Sequence, residues 1–207
     1  MALLLVRHGS TSFNADTPGL ERLRGWLDIP LATEGMLSAR RAARALAGRS
    51  VARMFTSDLK RAYDTARIMS VTLGTAVDPV RDLRPWHVGD LSGMVVDQVA
   101  EKLHAFTNGK RSETPPNGES FNAFLARWRT FLKKLLKLAA KTEGDIAAVT
   151  HARNLYALEE LLFQEEIPVK GPPNPCAVLL LQGEWGDVHM STIHRGHTPG
   201  PLGGEGS

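Results

Sequence analysis

Five apolar residues, Ala2 to Val6, run straight into Arg7-His8-Gly9. A short unbroken apolar run of this kind is the pattern of a strand buried on both faces, and such a strand needs helices on both sides of its sheet. The rest of the chain supplies them. Residues 34–47 place Met36, Ala39, Ala43 and Leu46 at helical spacing, with arginines opposite and Gly48 as the stop. Ala52–Thr56 reads as a second strand, and Asp58–Leu73 as a helix burying Leu59, Ala62, Ala66 and Met69. The loop 108–118 leads to a long helix over 119–140, carrying Phe121, Phe124, Trp128, Phe131 and Leu135. Asp145–Thr150 is again a strand, followed by a helix bearing Leu155, Leu158 and Leu162. Ala177–Leu181 and Val188–Ile193 flank a Gly-Glu-Trp-Gly turn and read as a closing hairpin.

This alternation predicts an α/β fold, a three-layer sandwich around a mostly parallel central sheet. With 207 residues the chain has room for one sizeable core. The expected organisation is one domain over 1–195, with a small helical cap from about 84 to 140. The glycine- and proline-rich tail 196–207 is expected to be disordered.

Open α/β sheets bind ligands beyond the carboxyl ends of their strands. Three such ends carry striking polarity changes: Arg7-His8-Gly9, Ser57 to Arg61, and His151. Two arginines and two histidines therefore converge on one crevice. Two guanidiniums suit a phosphoryl group, because each can grip oxygens with paired donors. Their field favours a neutral imidazole, whose free nitrogen can attack phosphorus. His8 is the candidate nucleophile, held between Arg7 and Arg61, with His151 donating to the transferring group. Gly9 lets the backbone approach and offers its amide. Arg153, at the start of a helix, reads either as a group reaching a second anion on the substrate or as a surface arginine.

Composition narrows the partners. The 25 basic and 22 acidic side chains leave a net charge of +3. The basic clusters Arg40-Arg41-Arg44 and Lys133-Lys134-Lys137 read as solvated helix faces, not a nucleic-acid groove. No apolar run at the start is long enough for a secretory core or a membrane span, and the single Cys176 forms no internal disulfide. The reading is a cytoplasmic protein acting on a small phosphorylated substrate, with no nucleic acid and no membrane; a homodimer stays open. His189, His194 and His197 lack clustered carboxylates or cysteines, so no metal and no cofactor are expected.

The segment Leu5-Val6-Arg7-His8-Gly9-Ser10-Thr11-Ser12-Phe13-Asn14 resembles the R-H-G-x-T-x-x-N opening of the histidine phosphatase superfamily, which includes cofactor-dependent phosphoglycerate mutases. Gly25 to Gly35 is similar to the family's G-x-x-D-x-P-L-T-x-x-G. Ser57-Asp58-Leu59-Lys60-Arg61-Ala62 with Thr65-Ala66 is similar to S-x-L-x-R-A-x-x-T-A. Pro116 to Ser120 resembles P-x-G-E-S, and Val149-Thr150-His151 resembles V-S-H. The resemblance implies a phosphatase acting through phospho-His8, with Arg7, Arg61 and His151 completing the phosphate pocket and Thr11 and Asn14 adding hydrogen bonds. Glu119 and Ser120 read as a helix cap, with a place in the pocket as the alternative.

One departure matters. Where the family carries the glutamate that protonates the leaving group, this chain has Pro85. Losing a general acid costs about 10²–10⁴ in rate. His87 and Asp90 are the nearest titratable residues and the candidate substitutes. The tyrosine and lysine with which mutases hold phosphoglycerate align with Val88 and Val96, which favours hydrolysis over the mutase alternative. A phosphate-binding regulatory module without catalysis is the second alternative.

Overall fold

The computed structural model describes residues 1–14, 20–163 and 174–196. Its strands are β1 (Leu3–Arg7), β2 (Val51–Thr56), β3 (Val77–Pro79), β4 (Asp145–Thr150), β5 (Val178–Glu184) and β6 (Asp187–His194). They form one sheet in the order β3-β2-β4-β1-β5-β6. The pairs β1–β4, β2–β4 and β2–β3 are parallel, whereas β5 is antiparallel to both β1 and β6. Only β5 therefore runs against the rest, and the sheet is mostly parallel, as the alternation predicts.

The helices are α1 (Thr33–Ala45), α2 (Lys60–Leu73), α3 (Val96–His104), α4 (Phe121–Lys141) and α5 (Ala152–Phe163). Strand β1 is buried along its whole length, and its alternation sorts the two cores. Leu3 and Leu5 join Ile146, Ala148, Trp128 and Leu158 on one side of the sheet. Leu4 and Val6 join Ala147, Val149, Ala43 and Ala66 on the other. Helices α4 and α5 thus cover one face, α1 and α2 the other.

Some details differ from the sequence reading. Met36 is 44% exposed; the inner face of α1 is instead Gly35, Ser38, Ala39, Ala42 and Ala43. At Gly35 the helix start lies hard against the Ser10 backbone. Gly48 does not end α1 in a left-handed turn; the helix stops at Leu46 in a right-handed conformation, whereas α2 does end on a left-handed Gly74. Within 84–140, α3 and α4 share one apolar core with the sheet, and Pro85, Trp86, Val88, Val96 and Leu103 of this stretch line the cavity at the strand ends. Strand β3 and helix α3 were not anticipated. Residues 197–207, including His197 and most of the expected tail, lie outside the described residues.

The approach of α1 to the first strand end is tight. A Cβ on Gly35 would stand 2.2 Å from the Ser10 carbonyl oxygen, and one on Gly9 would stand 2.5 Å from the Gly35 oxygen. Gly-to-Ala inside a helix ordinarily stabilises by about 1 kcal/mol. Here the sign reverses: Gly35→Ala should destabilise by about 1–3 kcal/mol in urea unfolding. Gly48→Ala, with nothing within 4 Å of the new methyl, should be neutral or gain up to about 1 kcal/mol.

Candidate active site

Arg7, His8, Arg61 and His151 meet as the strand-end rule predicts, each at most 4% exposed. They line one cavity of about 200 Å³, together with Arg24, Arg153 and Tyr156. The rings of His8 and His151 lie edge to face, 5.0 Å between centroids.

Each group is held by identifiable bonds. The His8 Nδ1 lies 2.7 Å from the Gly9 carbonyl oxygen. A carbonyl only accepts, so Nδ1 carries the proton and donates it. In the neutral ring the lone pair is then on Nε2. Arg61 donates from Nη1 to the Leu27 oxygen at 2.7 Å and from Nη2 to the Gly25 oxygen at 2.9 Å. The same loop caps α2, where Asp28 Oδ1 accepts from the Lys60 amide at 2.6 Å. Arg24 pairs with Glu21 at 3.0 Å and donates from Nε to Thr11 Oγ1 at 3.0 Å. Both ring nitrogens of His151, Arg61 Nε and Arg24 Nη2 are buried without a hydrogen-bond partner among the described residues. Unpartnered buried donors each cost about 1–3 kcal/mol. An oxyanion bound among them would accept from Arg24 Nη2, Arg61 Nε and the one ring N–H of neutral His151.

The charge balance points the same way. Burial first, then the guanidiniums of Arg61, Arg7 and Arg24, hold His8 well below the usual histidine range. Burial, Arg61 and His8 do the same to His151. Burial and then Arg24 pull Arg7 down to about 10 and Arg61 to about 9. All three arginines remain charged at neutral pH and the two histidines remain neutral. The site is a cationic pocket containing an unprotonated imidazole nitrogen.

The other candidates separate. Arg153 does line the cavity, lying over the rings of Phe121 at 5.5 Å and Trp86 at 5.8 Å. Thr11 and Asn14 do not line it; they bond one another and position Arg24. The Gly9 amide is spent on Thr65 Oγ1 at 3.0 Å, so it is not a donor to the pocket. His87 stacks on Trp26 at 4.2 Å, and Asp90 accepts from Asn117 at 3.0 Å. Neither lines the cavity. Pro85 does, and its carbonyl accepts from Trp26 Nε1 at 2.8 Å. Val88 and Val96 line it too. Ser120 caps α4 by accepting from the Ala123 amide, while Glu119 accepts from Arg127 at 2.7 Å. Arg24 and Tyr156 were missed: neither sits at a strand end, and Arg24 lies outside any helix or strand. Among the described residues no cluster of His, Cys, Asp or Glu could hold a metal, and no helix is long and apolar enough to cross a membrane.

The chain resembles known proteins along most of its length. The family model of the histidine phosphatase superfamily, branch 1, matches residues 3–182. The chain belongs to that superfamily. It is 35% identical over 207 residues to a metal-independent phosphoserine phosphatase of Arabidopsis thaliana, covering 92% of this chain and 84% of that protein. It is 29% identical to the glucosyl-3-phosphoglycerate phosphatase of Mycobacterium tuberculosis, covering 88% and 86%. A solved mycobacterial glucosyl-3-phosphoglycerate phosphatase with VO3 superposes with a TM-score of 0.75 at 27% identity, covering 92% of this chain and 97% of that one.

The depressed histidines set a pH dependence of stability. Because their folded pKa lies below the unfolded value, the unfolded chain binds more protons, and stability rises with pH in that window. The stabilisation is present above about pH 6.5 and is lost as pH falls toward the folded pKa. Melting temperature should therefore drop from pH 7.5 to 5.5. His8→Gln should reduce that drop, and inorganic phosphate should raise stability at both pH values.

Proposed function

We propose that this chain is a metal-independent cytoplasmic phosphatase that hydrolyses a small-molecule phosphomonoester through phospho-His8. The observation that carries the reading is the His8 Nδ1–Gly9 bond, which leaves Nε2 unprotonated beside Arg7, Arg24 and Arg61. The guanidiniums hold the phosphoryl oxygens and stabilise the charge that develops on them. The His8 Nε2 lone pair forms the N–P bond as the P–O bond to the alcohol breaks, and the alkoxide takes a proton. Water then attacks phosphorus, the N–P bond breaks, and phosphate leaves with His8 restored. His151 donates a ring N–H to the transferring group.

The leaving group has no carboxylic acid within reach among the described lining residues. The Tyr156 hydroxyl, pushed up to about 12 chiefly by burial, and water are the proton carriers at hand. Valines 88 and 96 support hydrolysis over mutase chemistry, because neither can hold a phosphoglycerate carboxylate in place for re-transfer. The relatives named as phosphatases support the same choice.

Rapid mixing with 4-nitrophenyl phosphate tests this. A burst of nitrophenol should match one phosphoenzyme per site, His8→Ala should lose at least about 10⁴-fold in kcat, and EDTA should change nothing. Orthovanadate binding without turnover would instead mark a phosphate-binding module. Across aryl and alkyl esters, the phosphorylation rate should rise steeply as leaving-group pKa falls. His87→Asn and Asp90→Asn should leave that slope intact; a slope that flattens in wild type but steepens in either variant would restore that residue as the acid.

A further inference from the structure

The cavity holds its cationic groups in two places. At the strand ends Arg7, Arg24 and Arg61 surround the two histidines, and burial and then the charge of Arg24 pull Arg7 and Arg61 down. Neutral His151 adds one ring N–H to this set; its other ring nitrogen is an acceptor and offers an anion nothing. On the phosphatase reading these groups meet the phosphoryl oxygens. Arg153 stands apart from them, in the first turn of α5, and burial, not a neighbouring guanidinium, pulls it down. Tyr156, one turn further along the same helix, is in the field of both Arg7 and Arg153 and links the two places. The Arg153 guanidinium lies over the Phe121 ring at 5.5 Å and the Trp86 ring at 5.8 Å. Two aromatic faces attract the cation but take none of its hydrogen bonds. A guanidinium carries five N–H donors, and among the described residues Arg153 makes no hydrogen bond and no ion pair. Arg24 and Arg61, by contrast, spend donors on protein oxygens. A cation half out of water, held by rings and lining a cavity, is an arrangement that receives an anion from outside the protein.

We infer that the alcohol half of the substrate carries a second anionic group, a carboxylate or a second phosphate, and that Arg153 grips it and so determines specificity. The inference rests on the phosphatase reading and specifies its substrate class. The planar fork of a guanidinium fits two oxygens of either group at once. Stacking on Trp86 and Phe121 fixes the plane of that fork before the substrate arrives, so less side-chain freedom is lost on binding. The Tyr156 hydroxyl is a further donor on the same wall of the cavity.

The test compares kcat/KM for 3-phosphooxypropanoate, its amide 3-phosphooxypropanamide and propane-1,3-diyl bisphosphate, with phospho-His8 measured in parallel. All three lose phosphate from a similar primary alkoxide, so differences report recognition of the far end. The acid or the bisphosphate should exceed the amide by at least about tenfold, mainly in KM, the scale of a charge-assisted hydrogen bond. Whichever leads identifies the second anion. Arg153→Gln should shrink that ratio to about threefold or less, and Arg153→Lys should restore only part of it, because an ammonium has the charge without the fork. An equal loss on all three esters in Arg153→Gln would mark a packing role on Trp86 and Phe121 and overturn the assignment. A preference for the anions that survives Arg153→Gln intact would overturn it too. An amide processed by the wild type as well as the two anions would overturn the substrate class and leave the phosphatase standing. Absence of phospho-His8 from every ester, 4-nitrophenyl phosphate included, would overturn the phosphatase reading and this inference with it. The wild-type ratio tests the substrate class even if the variants misfold.

Discussion

Three guanidiniums, of Arg7, Arg24 and Arg61, crowd around two neutral imidazoles, with the Glu21 carboxylate paired to Arg24. Like charges brought together out of water repel, and the arrangement exists only because surrounding structure imposes it. The imposition can be traced. Arg7 is the last residue of a wholly buried strand. Arg61 is fixed by the Gly25 and Leu27 carbonyls, and the loop that carries them is fastened by Asp28 to the start of α2. Trp26 ties that loop to Pro85 and lies under Arg84, whose two bonds to Asp58 are both 2.7 Å. Two apolar cores, one on each face of the sheet, supply the stability that this site spends.

The same network explains the place of Pro85. Its carbonyl accepts from Trp26 and from Arg127, so the residue has a structural duty in its backbone while its side chain offers no proton. The loop that Trp26 ties to Pro85 also holds Arg61 through the Gly25 and Leu27 carbonyls. On the proposed mechanism Pro85 gives no proton to a basic alkoxide.

Much of this was legible in the residues. The Ala2–Val6 run, the spacing of Leu59, Ala62, Ala66 and Met69, and Asp145–Thr150 each identified an element within a residue or two of its ends. Strand ends then brought Arg7, His8, Arg61 and His151 together without any contact being known. The misses have physical reasons. Strand β3 is three residues long, at the sheet edge and ending in proline, so it carries almost no pattern. The inner face of α1 is built of Gly35, Ser38 and alanines, which hydrophobic periodicity registers weakly; Met36 reads as inside and lies outside. His87 and Asp90 neighbour Pro85 in sequence, but the chain turns them onto Trp26 and Asn117. Arg24 sits in a loop with no period to announce it, and only its bonds to Glu21 and Thr11 reveal its position.

On the proposed mechanism the Gly9 carbonyl holds the His8 Nδ1 proton and leaves the Nε2 lone pair to attack phosphorus. The most direct measurement is the NMR of phosphoenzyme trapped with ¹⁵N-labelled histidine, which reports through ³¹P–¹⁵N coupling which ring nitrogen carries the phosphoryl group. One phosphohistidine is expected, at residue 8, linked through Nε2. Linkage through Nδ1, or a phosphoryl group on His151, would contradict it.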